Sequence, residues 1–569
     1  MPKSPLTVAY FTMEIGLESR MPTFAGGLGM LAADIMRSAA DTGVAAACIT
    51  ICWQHGYMRQ TLHSNGTQRY DPVSWNPAQI LRKASEQVTV QCEGRTVHIG
   101  AWIYDLHRND QGSGTNDQSR SNDQCSVPVI FLDTDLSENA PEDRQITSHL
   151  YGGDGAMRLK QEIVLGIGGV KMLRAMGFSD IGTFHMNEGH AAFLTLELLR
   201  ERHWNNDDVR RICAFTTHTP IAAGHDVFDY DLAYKIAGDQ LPWHIREIAG
   251  KDRLSMTELA IRMSRYTCGV SKVHGEVSRR MFPWAKIDAI TNGVHHVHWT
   301  APEFQNLYDS YIHGWRQSPK LLAEKCRELP DDQLWKMHQL AKDRLIAHAN
   351  QFTDVPLDPH RLTIASARRV VSYKRPELMY TNLERLREVC QGKVQIIHAG
   401  NAHPEDPFGQ SVIQRMIERS KKLRDSVRIV YVPNYNPDLA SLLTAGADVW
   451  LNTPMRLHEA SGTSGMKACV NGVLNFSTLD GWWIEAFAMD PEAGWRIGPL
   501  ASALPDAEET THVDAEDLYT QLQYEVIPEF EYENHIRWIR RMKRSIGLIG
   551  FFNTHRCAQE YVEKAWKTL

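Results

Sequence analysis

Residues 24–43 read FAGGLGMLAADIMRSAADTG, a glycine-rich turn followed by apolar residues at helical spacing. The apolar run LTVAYF at residues 6–11 comes before it and is typical of a buried strand. Residues 44–52 supply a second strand-like run. A strand, a glycine turn, a helix and a further strand, in that order, are how a parallel α/β sheet begins. The sequence therefore predicts an α/β fold.

A second α/β series follows a break at residues 291–299 (TNGVHHVHW). Its strand-like runs, several of them separated by helical segments, are residues 362–367, 394–399, 427–431, 449–451 and 473–475. We therefore predict two doubly wound, Rossmann-like domains facing a cleft, at residues 1–293 and 294–535. A helical segment at residues 536–569 is expected to cross back to the N-terminal domain. In such sheets, ligands bind at the carboxyl ends of the strands.

Composition excludes several classes of protein. The chain has 569 residues and a net charge of −7, so nothing favours a nucleic-acid partner or an anionic membrane surface. Its ten cysteines are scattered without a CxxC pair, as expected of reduced thiols in a cytoplasm. The N-terminus lacks a signal-peptide pattern, and no apolar run reaches the ~18 residues of a membrane span. We therefore expect a cytoplasmic protein.

The segment with the most candidate binding and catalytic residues is RLHEASGTSGMKACVNGVLNFSTLDGWW at residues 456–483. Its small residues at 461–465 come just before a predicted helix, where backbone N–H groups can cradle a phosphate. Lys467, in a small and apolar setting, can form a Schiff base with an aldehyde cofactor. The alternative is a capped helix start followed by a solvent-exposed lysine. The residues alone leave both interpretations open.

Three other segments carry weaker signals. Residues 367–377 (ARRVVSYKRPE) place four cations within eight residues directly after a predicted strand, which suits a phosphate dianion, although such runs are often solvated surface. The glycine turn at residues 26–27 is by itself an ordinary strand-to-helix turn. A lone histidine such as His218, in TTHTPIAAGHDVF, is more often structural. The cluster His295, His296 and His298 lacks the spacing of a zinc site, so no metal is predicted.

Together these segments resemble the α-glucan phosphorylases, glycosyltransferases of the two-domain GT-B architecture. The match from Glu459 to Gly481 follows that family's E-A-S-G-T-G/S-x-M-K motif and the N-G and L-D-G that come after it. The glycine loop, histidine loop and basic loop resemble family segments in the same order. The resemblance spans roughly residues 5–490 and is closest to the compact bacterial and archaeal branch, for which we expect no allosteric control.

The resemblance implies a hexosyltransferase (EC 2.4.1.1) that carries pyridoxal 5'-phosphate and acts on α-1,4-glucan or maltodextrin with inorganic phosphate. The catalytic residues implied are Arg369, Lys374, His218 and Gly27. The cofactor would be held by Lys467 as a Schiff base, with Thr463, Ser464, Gly465, Arg368, Tyr435 and Trp299. The substrate-binding residues implied are Asn292, Glu459, Ser461, Gly462, Tyr373, Gly26 and Leu28. A homodimer is an expectation from the family alone.

The implied reaction is reversible phosphorolysis with retention, in which the cofactor phosphate relays a proton to the substrate phosphate. Some residues depart from the longer members of the family. Ile15 and Gly16 stand where an aromatic pair is usual, Ala25 replaces an asparagine, and Ser464–Gly465 replaces Gly-Asn. These departures concern cofactor affinity and acceptor preference.

Three rival functions remain open at this stage. A GT-B glycosyltransferase that uses a sugar nucleotide would share the cleft and the basic loop, but would not need Lys467. An inactive glucan-binding homologue would not need an intact set of Arg369, Lys374 and Lys467. A glycosidase needs two carboxylates, and Glu459 has no second carboxylate in a comparable motif.

Overall fold

The computed structural model describes residues 5–56, 58–108, 126–500 and 507–567. The chain divides into two units. Unit 1 contains Met1–Met58, Pro72–Thr291 and Thr554–Leu569, and unit 2 contains Arg59–Asp71 and Asn292–Asn553. The domain boundaries at residues 293 and 535 stay a prediction.

The strands of the described residues, in chain order, are β1 (Leu6–Thr12), β2 (Ala46–Ile51), β3 (Arg59–Leu62), β4 (Gln68–Asp71), β5 (Arg82–Lys83), β6 (Val88–Cys92), β7 (Arg95–His107), β8 (Ser126–Asp133), β9 (Ile181–Asn187), β10 (Cys213–Thr216), β11 (Val227–Phe228), β12 (Leu254–Ser255), β13 (Tyr266–Gly269), β14 (Asp288–Ala289), β15 (Leu362–Ala367), β16 (Val394–Ala399), β17 (Arg428–Val432), β18 (Val449–Asn452), β19 (Leu474–Thr478) and β20 (Gly494–Ile497).

The α-helices of the same residues are α1 (Gly27–Thr42), α2 (Pro141–Arg144), α3 (Gly155–Ile163), α4 (Gly169–Ala175), α5 (Leu194–Glu201), α6 (Asn206–Ile212), α7 (Tyr230–Ala237), α8 (Ile245–Ile248), α9 (Met256–Arg262), α10 (Lys272–Met281), α11 (His296–Trp299), α12 (Pro302–Tyr311), α13 (Lys320–Lys325), α14 (Asp331–Ala349), α15 (Leu383–Cys390), α16 (Pro407–Leu423), α17 (Pro437–Gly446), α18 (Ser464–Cys469), α19 (Trp482–Met489), α20 (Ala507–Gln521), α21 (Ile527–Glu531), α22 (Ile536–Leu548) and α23 (Thr554–Tyr561).

Unit 1 is built on a mixed sheet in the order β14-β13-β10-β9-β1-β2-β8-β7-β5. The strands from β14 to β8 are parallel, and β7 pairs antiparallel with β8. Both faces are covered, because Ala9 and Phe11 of β1 lie in one apolar cluster while Val8 and Tyr10 lie in another. The strand order reverses between β1 and β9, so the loops after these strands flank the switch point where such sheets bind ligands.

Unit 2 is built on a parallel sheet in the order β17-β16-β15-β18-β19-β20. Counted within the unit, this is the 3-2-1-4-5-6 order of a dinucleotide-binding fold, with its switch point between β15 and β18. The predicted strands at residues 362–367 and 394–399 are found with those bounds. The α/β prediction with parallel sheets is confirmed.

Two parts of the fold are absent from the sequence-based prediction. Strand β9 (IGTFHMN) lies in the middle of the sheet of unit 1, between β1 and β10. Its Gly, His and Asn residues interrupt the apolar pattern by which a buried strand is predicted. The hairpin β3–β4 lies early in the chain yet belongs to unit 2. Its strands have four residues each and mostly polar side chains, so they carry little periodic signal.

Among the described residues there is neither a disulfide bond nor a helix that could span a membrane. The nine cysteines that the structure describes are free and buried. Burial raises the pKa of several of these thiols, among them Cys92 and Cys268, each to about 12. No helix in the described ranges combines the length and apolar character needed to cross a bilayer.

The C-terminal residues of the chain complete the core of unit 1. Trp566 is buried and donates its indole N–H to His185 Nδ1 at 2.9 Å, and the other ring nitrogen of His185 meets Thr216 Oγ1 at 3.0 Å. Burial lowers the pKa of His185 to about 3, so the ring is neutral, with its proton on Nε2. Arg265 also donates to the Ala565 carbonyl at 2.7 Å.

Replacing Trp566 with alanine is expected to destabilise unit 1 by about 3–5 kcal/mol, because it leaves a large cavity and an unpartnered His185 Nδ1. Denaturant unfolding followed by intrinsic fluorescence measures the loss. Trp243→Ala is the matched control, since that tryptophan is 77% exposed and its removal should cost little. Equal stability of the two variants would contradict the assigned packing role.

Candidate active site

The basic loop after β15 begins with a cation that is fixed in place. Arg368 is buried and donates a hydrogen bond to the Leu451 carbonyl at 3.1 Å and another to Asn452 Oδ1, both at the end of β18. Burial lowers the pKa of Arg368, but an arginine remains charged at neutral pH. The guanidinium is therefore a preorganised positive charge at the switch point of unit 2.

The structure brings Lys374 and Glu459 together, as expected of residues in one site. Lys374 Nζ lies 2.9 Å from Glu459 Oε2, and the two side chains are 19% and 17% exposed. Burial lowers the pKa of Lys374, the facing Glu459 carboxylate and Tyr373 raise it, and the net pKa is raised. Lys374 is thus protonated at neutral pH. A phosphate arriving here would share this cation with Glu459.

The other two cations of this loop differ from each other. The Arg369 side chain is exposed. Arg375, by contrast, donates to Asp514 Oδ2 at 2.7 Å and to the Thr453 and Pro454 carbonyls. Its role is to hold the loop, so the interpretation of all four cations as one phosphate clamp is wrong for Arg375. The geometry leaves Arg368, Arg369 and Lys374 for that role.

Asp480 is a site residue that sequence reasoning missed, although it lies within the recognised motif. Its carboxylate is buried and accepts the backbone N–H groups of His458 at 3.2 Å, Glu459 at 2.8 Å and Gly481 at 2.8 Å. These bonds fix the backbone that carries Glu459. Burial raises the pKa of Asp480 to about 7, while the hydrogen bonds from the backbone oppose that rise.

We expect Asp480→Asn to raise the KM for the substrate about tenfold, the cost of one charge-assisted hydrogen bond. Because the pKa is about 7, protonation removes the negative charge as the pH falls below that value. The wild-type KM should therefore rise on acidification, and the variant should not follow it. Steady-state kinetics across pH measure both effects, with exposed Asp425→Asn as control. A wild-type pH profile in the Asp480 variant would rule out this role.

Lys467 is buried in an apolar setting. It lies on α18 with 7% of its surface exposed, and its Nζ is 3.7 Å from the centroid of the Trp299 ring. Asn471 donates both to the Lys467 carbonyl at 3.0 Å and to the Trp299 carbonyl at 2.8 Å, which fixes the two segments to each other. The interpretation of Lys467 as a solvent-exposed lysine is wrong.

The loop before Lys467 has little freedom. A Cβ atom on Gly465 would lie 2.2 Å from Asn475 Oδ1, and Asn475 Nδ2 donates to the Gly465 carbonyl at 3.0 Å. Ser464 Oγ accepts the indole N–H of Trp450 at 3.1 Å. In this chain a side chain at position 465 would therefore displace the Asn475 amide. Thr463 and Gly462, next in this loop, are half-buried, and Ser461 is buried.

The residues of unit 2 fit the chemistry of pyridoxal phosphate. Lys467 supplies an amine for its aldehyde, and Arg368 supplies a buried positive charge. Tyr435 is half-buried at the end of β17, and burial raises its pKa to about 12, so its phenol stays protonated. Asn401 Nδ2 donates to the Tyr435 carbonyl at 3.2 Å. The donor set therefore suits an aldehyde that carries a phosphate.

In unit 1, His218 sits after β10 in a chain of hydrogen bonds that sets its tautomer. Thr12 Oγ1 donates to the Glu14 carbonyl, so it accepts from Asn187 Nδ2 at 3.0 Å. Asn187 Oδ1 then faces His218 Nε2 at 2.6 Å and accepts its proton. Burial lowers the pKa of His218 to about 3. The ring is therefore neutral, with Nδ1 as an acceptor.

Glu188 fixes the backbone around His218. One carboxylate oxygen accepts the His218 N–H at 2.7 Å and the Thr219 hydroxyl at 3.0 Å, and the other accepts the Gly189 N–H at 2.9 Å. Sequence reasoning gave Asn187 and Glu188 no role. The available signal was their position, directly at the end of β9.

The glycine turn has a partner that the sequence did not reveal. Buried Glu14 accepts the N–H groups of Ala25 at 2.5 Å and Gly26 at 3.1 Å through one oxygen, and the Tyr151 hydroxyl at 2.9 Å through the other. Helix α1 begins at Gly27, where the first N–H groups of a helix have no intrahelical acceptor. A Cβ on Gly26 or Gly27 would meet no atom within 4 Å, so this backbone is uncrowded.

All but one of the remaining predicted residues are in unit 2. Asn292 is buried at 5% exposure, and Leu28 of unit 1 is half-buried next to Gly27. Tyr373 is half-buried, and its carbonyl accepts the Met455 N–H at 2.6 Å. Two of the clustered histidines have structural hydrogen bonds: His295 Nδ1 accepts the His298 N–H at 3.1 Å, and His296 Nε2 meets the Arg316 carbonyl at 2.8 Å.

Comparison with known proteins shows the family of this chain. Residues 221–524, more than half of the chain, match the family model of the carbohydrate phosphorylases. The chain belongs to the carbohydrate phosphorylase family. Three similar proteins cover almost all of it. Maltodextrin phosphorylase of Thermococcus litoralis is 36% identical, over 99% of this chain and 71% of that protein. Glycogen phosphorylase of Mycobacterium tuberculosis is 33% identical, over 98% and 70%. Glycogen phosphorylase of Aquifex aeolicus is 31% identical, over 99% and 86%.

Proposed function

We propose that this protein is an α-glucan phosphorylase (EC 2.4.1.1). It transfers the terminal glucosyl unit of an α-1,4-glucan to inorganic phosphate, reversibly and with retention, to give α-D-glucose 1-phosphate. The observation that carries the proposal is the buried Lys467 amine against Trp299. A sugar-nucleotide transferase has no use for such a lysine. The similar proteins named above are maltodextrin and glycogen phosphorylases.

The architecture we propose is GT-B, with the carboxyl ends of the two sheets facing a shared cleft. Two doubly wound sheets, each with functional loops at its switch point, support this arrangement. Unit 1 would contribute Gly26, Gly27, Leu28 and His218. Unit 2 would contribute the basic loop and the segment that ends at Lys467.

Pyridoxal 5'-phosphate is the proposed cofactor, held by Lys467, Thr463, Ser464, Gly465, Arg368, Tyr435 and Trp299. When bound, it supplies a phosphate group that can exchange a proton with the substrate phosphate. Lys467 is then a tether, because its role is to hold the cofactor. The positive charge of Arg368 offsets the repulsion between two neighbouring phosphates.

The substrate phosphate would be held by Arg369, protonated Lys374 and the Gly27 N–H. In this position the substrate phosphate would donate a proton to the departing glycosidic oxygen. Its negative charge would stabilise the developing oxocarbenium ion. It then bonds to the anomeric carbon on the face that the leaving group vacated. Holding the anion at that carbon is positioning plus electrostatic preorganisation.

The sugar would be bound by side chains from both units. His218 is neutral, and its Nε2–H donates a hydrogen bond to Asn187 Oδ1. Its Nδ1 can therefore accept a hydrogen bond from a sugar hydroxyl. The Glu459 carboxylate would accept hydrogen bonds from sugar hydroxyls, while its Oε2 atom also contacts Lys374 Nζ. Asn292, Ser461, Gly462 and Tyr373 complete the proposed sugar site.

The test is incubation of the purified protein with maltodextrin and inorganic phosphate. Glucose 1-phosphate formed only when phosphate is present supports the proposal, and the reverse reaction should lengthen maltodextrin and release phosphate. Free glucose without phosphate would indicate a glycosidase. Transfer from a sugar nucleotide would indicate the rival glycosyltransferase, and glucan binding with no product would indicate an inactive homologue.

A further inference from the structure

The hairpin β3–β4 is the one part of unit 2 that the described chain supplies from before residue 292. Its two strands pair antiparallel, with Gln60 opposite Tyr70 and Leu62 opposite Gln68. Most of its side chains are polar, and three of the eight in its strands are exposed, but Gln60 is only 1% exposed and Gln68 only 8%. A buried glutamine must satisfy its amide, so its partners show what the hairpin does.

The first partner is the loop after β17. Gln60 Oε1 accepts the Asn434 N–H at 3.0 Å, and the Gln60 N–H donates to Asn434 Oδ1 at 3.3 Å. Asn434 has φ of +59°, a left-handed conformation that a residue with a side chain adopts at a cost. The reciprocal bonds hold Asn434 in that conformation. Tyr435 comes next in the chain, so its direction depends on this turn.

The second partner is the loop after β16. Gln60 Nε2 donates to the Gly400 carbonyl at 3.0 Å and to Gln68 Oε1 at 2.6 Å. Gln68 Oε1 also receives the Ala402 N–H at 3.4 Å. The hairpin thus binds the backbone on both sides of residue 401.

The loop after β16 in turn supports the basic loop. A Cβ on Gly400 would lie 2.1 Å from the Arg368 carbonyl, so the two backbones are in direct contact. The Arg368 N–H donates to the Ala399 carbonyl at 3.3 Å, and the Val370 N–H donates to the Asn401 carbonyl at 3.0 Å. Arg369 lies between these two anchored residues. A shift of Gly400 would therefore move the backbone of Arg368 and Arg369.

We infer that Gln60 is a positioning residue for the phosphate-binding end of the site, acting through the loops after β15, β16 and β17. It touches neither substrate nor cofactor. Its amide ties together the loop that carries Tyr435 and the loop that supports Arg368 and Arg369. This inference rests on the proposed function, because that function gives those three residues their roles.

The test compares Gln60→Met and Gln60→Ala with the wild-type holoenzyme. Methionine keeps the volume but leaves the Asn434 N–H without its acceptor and removes one of the two donors to the Gly400 carbonyl, which keeps the Tyr431 hydroxyl at 2.8 Å. We expect cofactor dissociation, followed by loss of its absorbance on dilution, to be about tenfold faster in both variants. The KM for phosphate should rise about tenfold, and the KM for maltodextrin less than about twofold, because the sugar-binding residues are elsewhere. Thr61→Ala, an exposed neighbour on β3, should match the wild type.

A merely structural role predicts a different result. Folded Gln60→Met with a lowered melting temperature, but with wild-type cofactor dissociation and phosphate KM, would overturn the inference. Equal increases in both KM values would also overturn it. If the wild-type protein carries no pyridoxal phosphate and forms no glucose 1-phosphate, the proposed function fails first, and the inference with it.

Discussion

Lys467→Ala is expected to abolish the cofactor absorbance band and to lower glucose 1-phosphate release by more than about a hundredfold. The lysine amine lies 3.7 Å from the centroid of the Trp299 ring, and the residue is only 7% exposed. Alanine removes the covalent attachment point and leaves the cofactor held only by noncovalent contacts. Absorbance and phosphorolysis are recorded on the same sample. In the wild type, borohydride treatment followed by peptide mapping should find the pyridoxyl group on Lys467.

The matched control is Lys422→Ala, which removes an exposed lysine of unit 2 and should leave both signals unchanged. Circular dichroism and thermal unfolding check that the Lys467 variant is folded. An Lys467→Ala protein with the wild-type band and rate would refute the tether. A colourless, fully active wild-type protein would refute the phosphorylase proposal altogether.

Lys374→Ala is expected to lower kcat/KM for phosphate by about 10²–10³-fold, as when one preorganised electrostatic group is removed. The substitution also leaves Glu459, 2.9 Å away in the wild type, as a partly buried carboxylate without its cation. That charge would repel the incoming phosphate. Maltodextrin binding, measured by calorimetry or affinity electrophoresis, should persist, and so should the cofactor band, because Lys467 is untouched.

Two further variants sharpen this result. Lys374→Arg keeps the charge and should recover part of the activity, although a planar guanidinium cannot reproduce the geometry of the ammonium. Glu459→Gln in the Lys374→Ala background removes the unpaired charge and should restore some phosphate affinity. The raised pKa of Lys374 keeps it protonated through neutral pH, so the neutral-pH dependence of phosphorolysis should be unchanged in Lys374→Arg. Substantial release by Lys374→Ala would contradict the assigned role.

The predicted part of the fold rests on local patterns. Apolar-rich runs such as residues 362–367 and 394–399 are found as β15 and β16 with the predicted bounds, because a strand buried on both faces is mostly apolar. The loops that carry Arg368, Lys374, His218 and Lys467 were identifiable, since each lies at or after the end of such a strand. The resemblance assigned Lys374 and Glu459 separate roles in one site, and the structure adds a direct contact between them.

The supporting groups were not predictable in the same way. Glu14 binds the N–H groups of residues 25 and 26, Glu188 binds that of His218, and Asp480 binds that of Glu459. Each is a buried carboxylate whose oxygens accept hydrogen bonds from backbone N–H groups. Backbone donors are the same for every residue type, so no sequence motif marks the partner.

The sequence by itself determined the α/β class, the glycine turn at residues 26–27, the basic loop and the position of Lys467, because periodicity and short motifs are properties of neighbouring residues. Only the tertiary structure decided that Lys467 is buried against Trp299, that Arg375 supports its loop through Asp514, and that the hairpin at Arg59–Asp71 belongs to the second unit. Those facts depend on contacts between residues far apart in the chain. Burial and hydrogen bonding across that distance follow from the packing of the sheets, which local spacing does not encode.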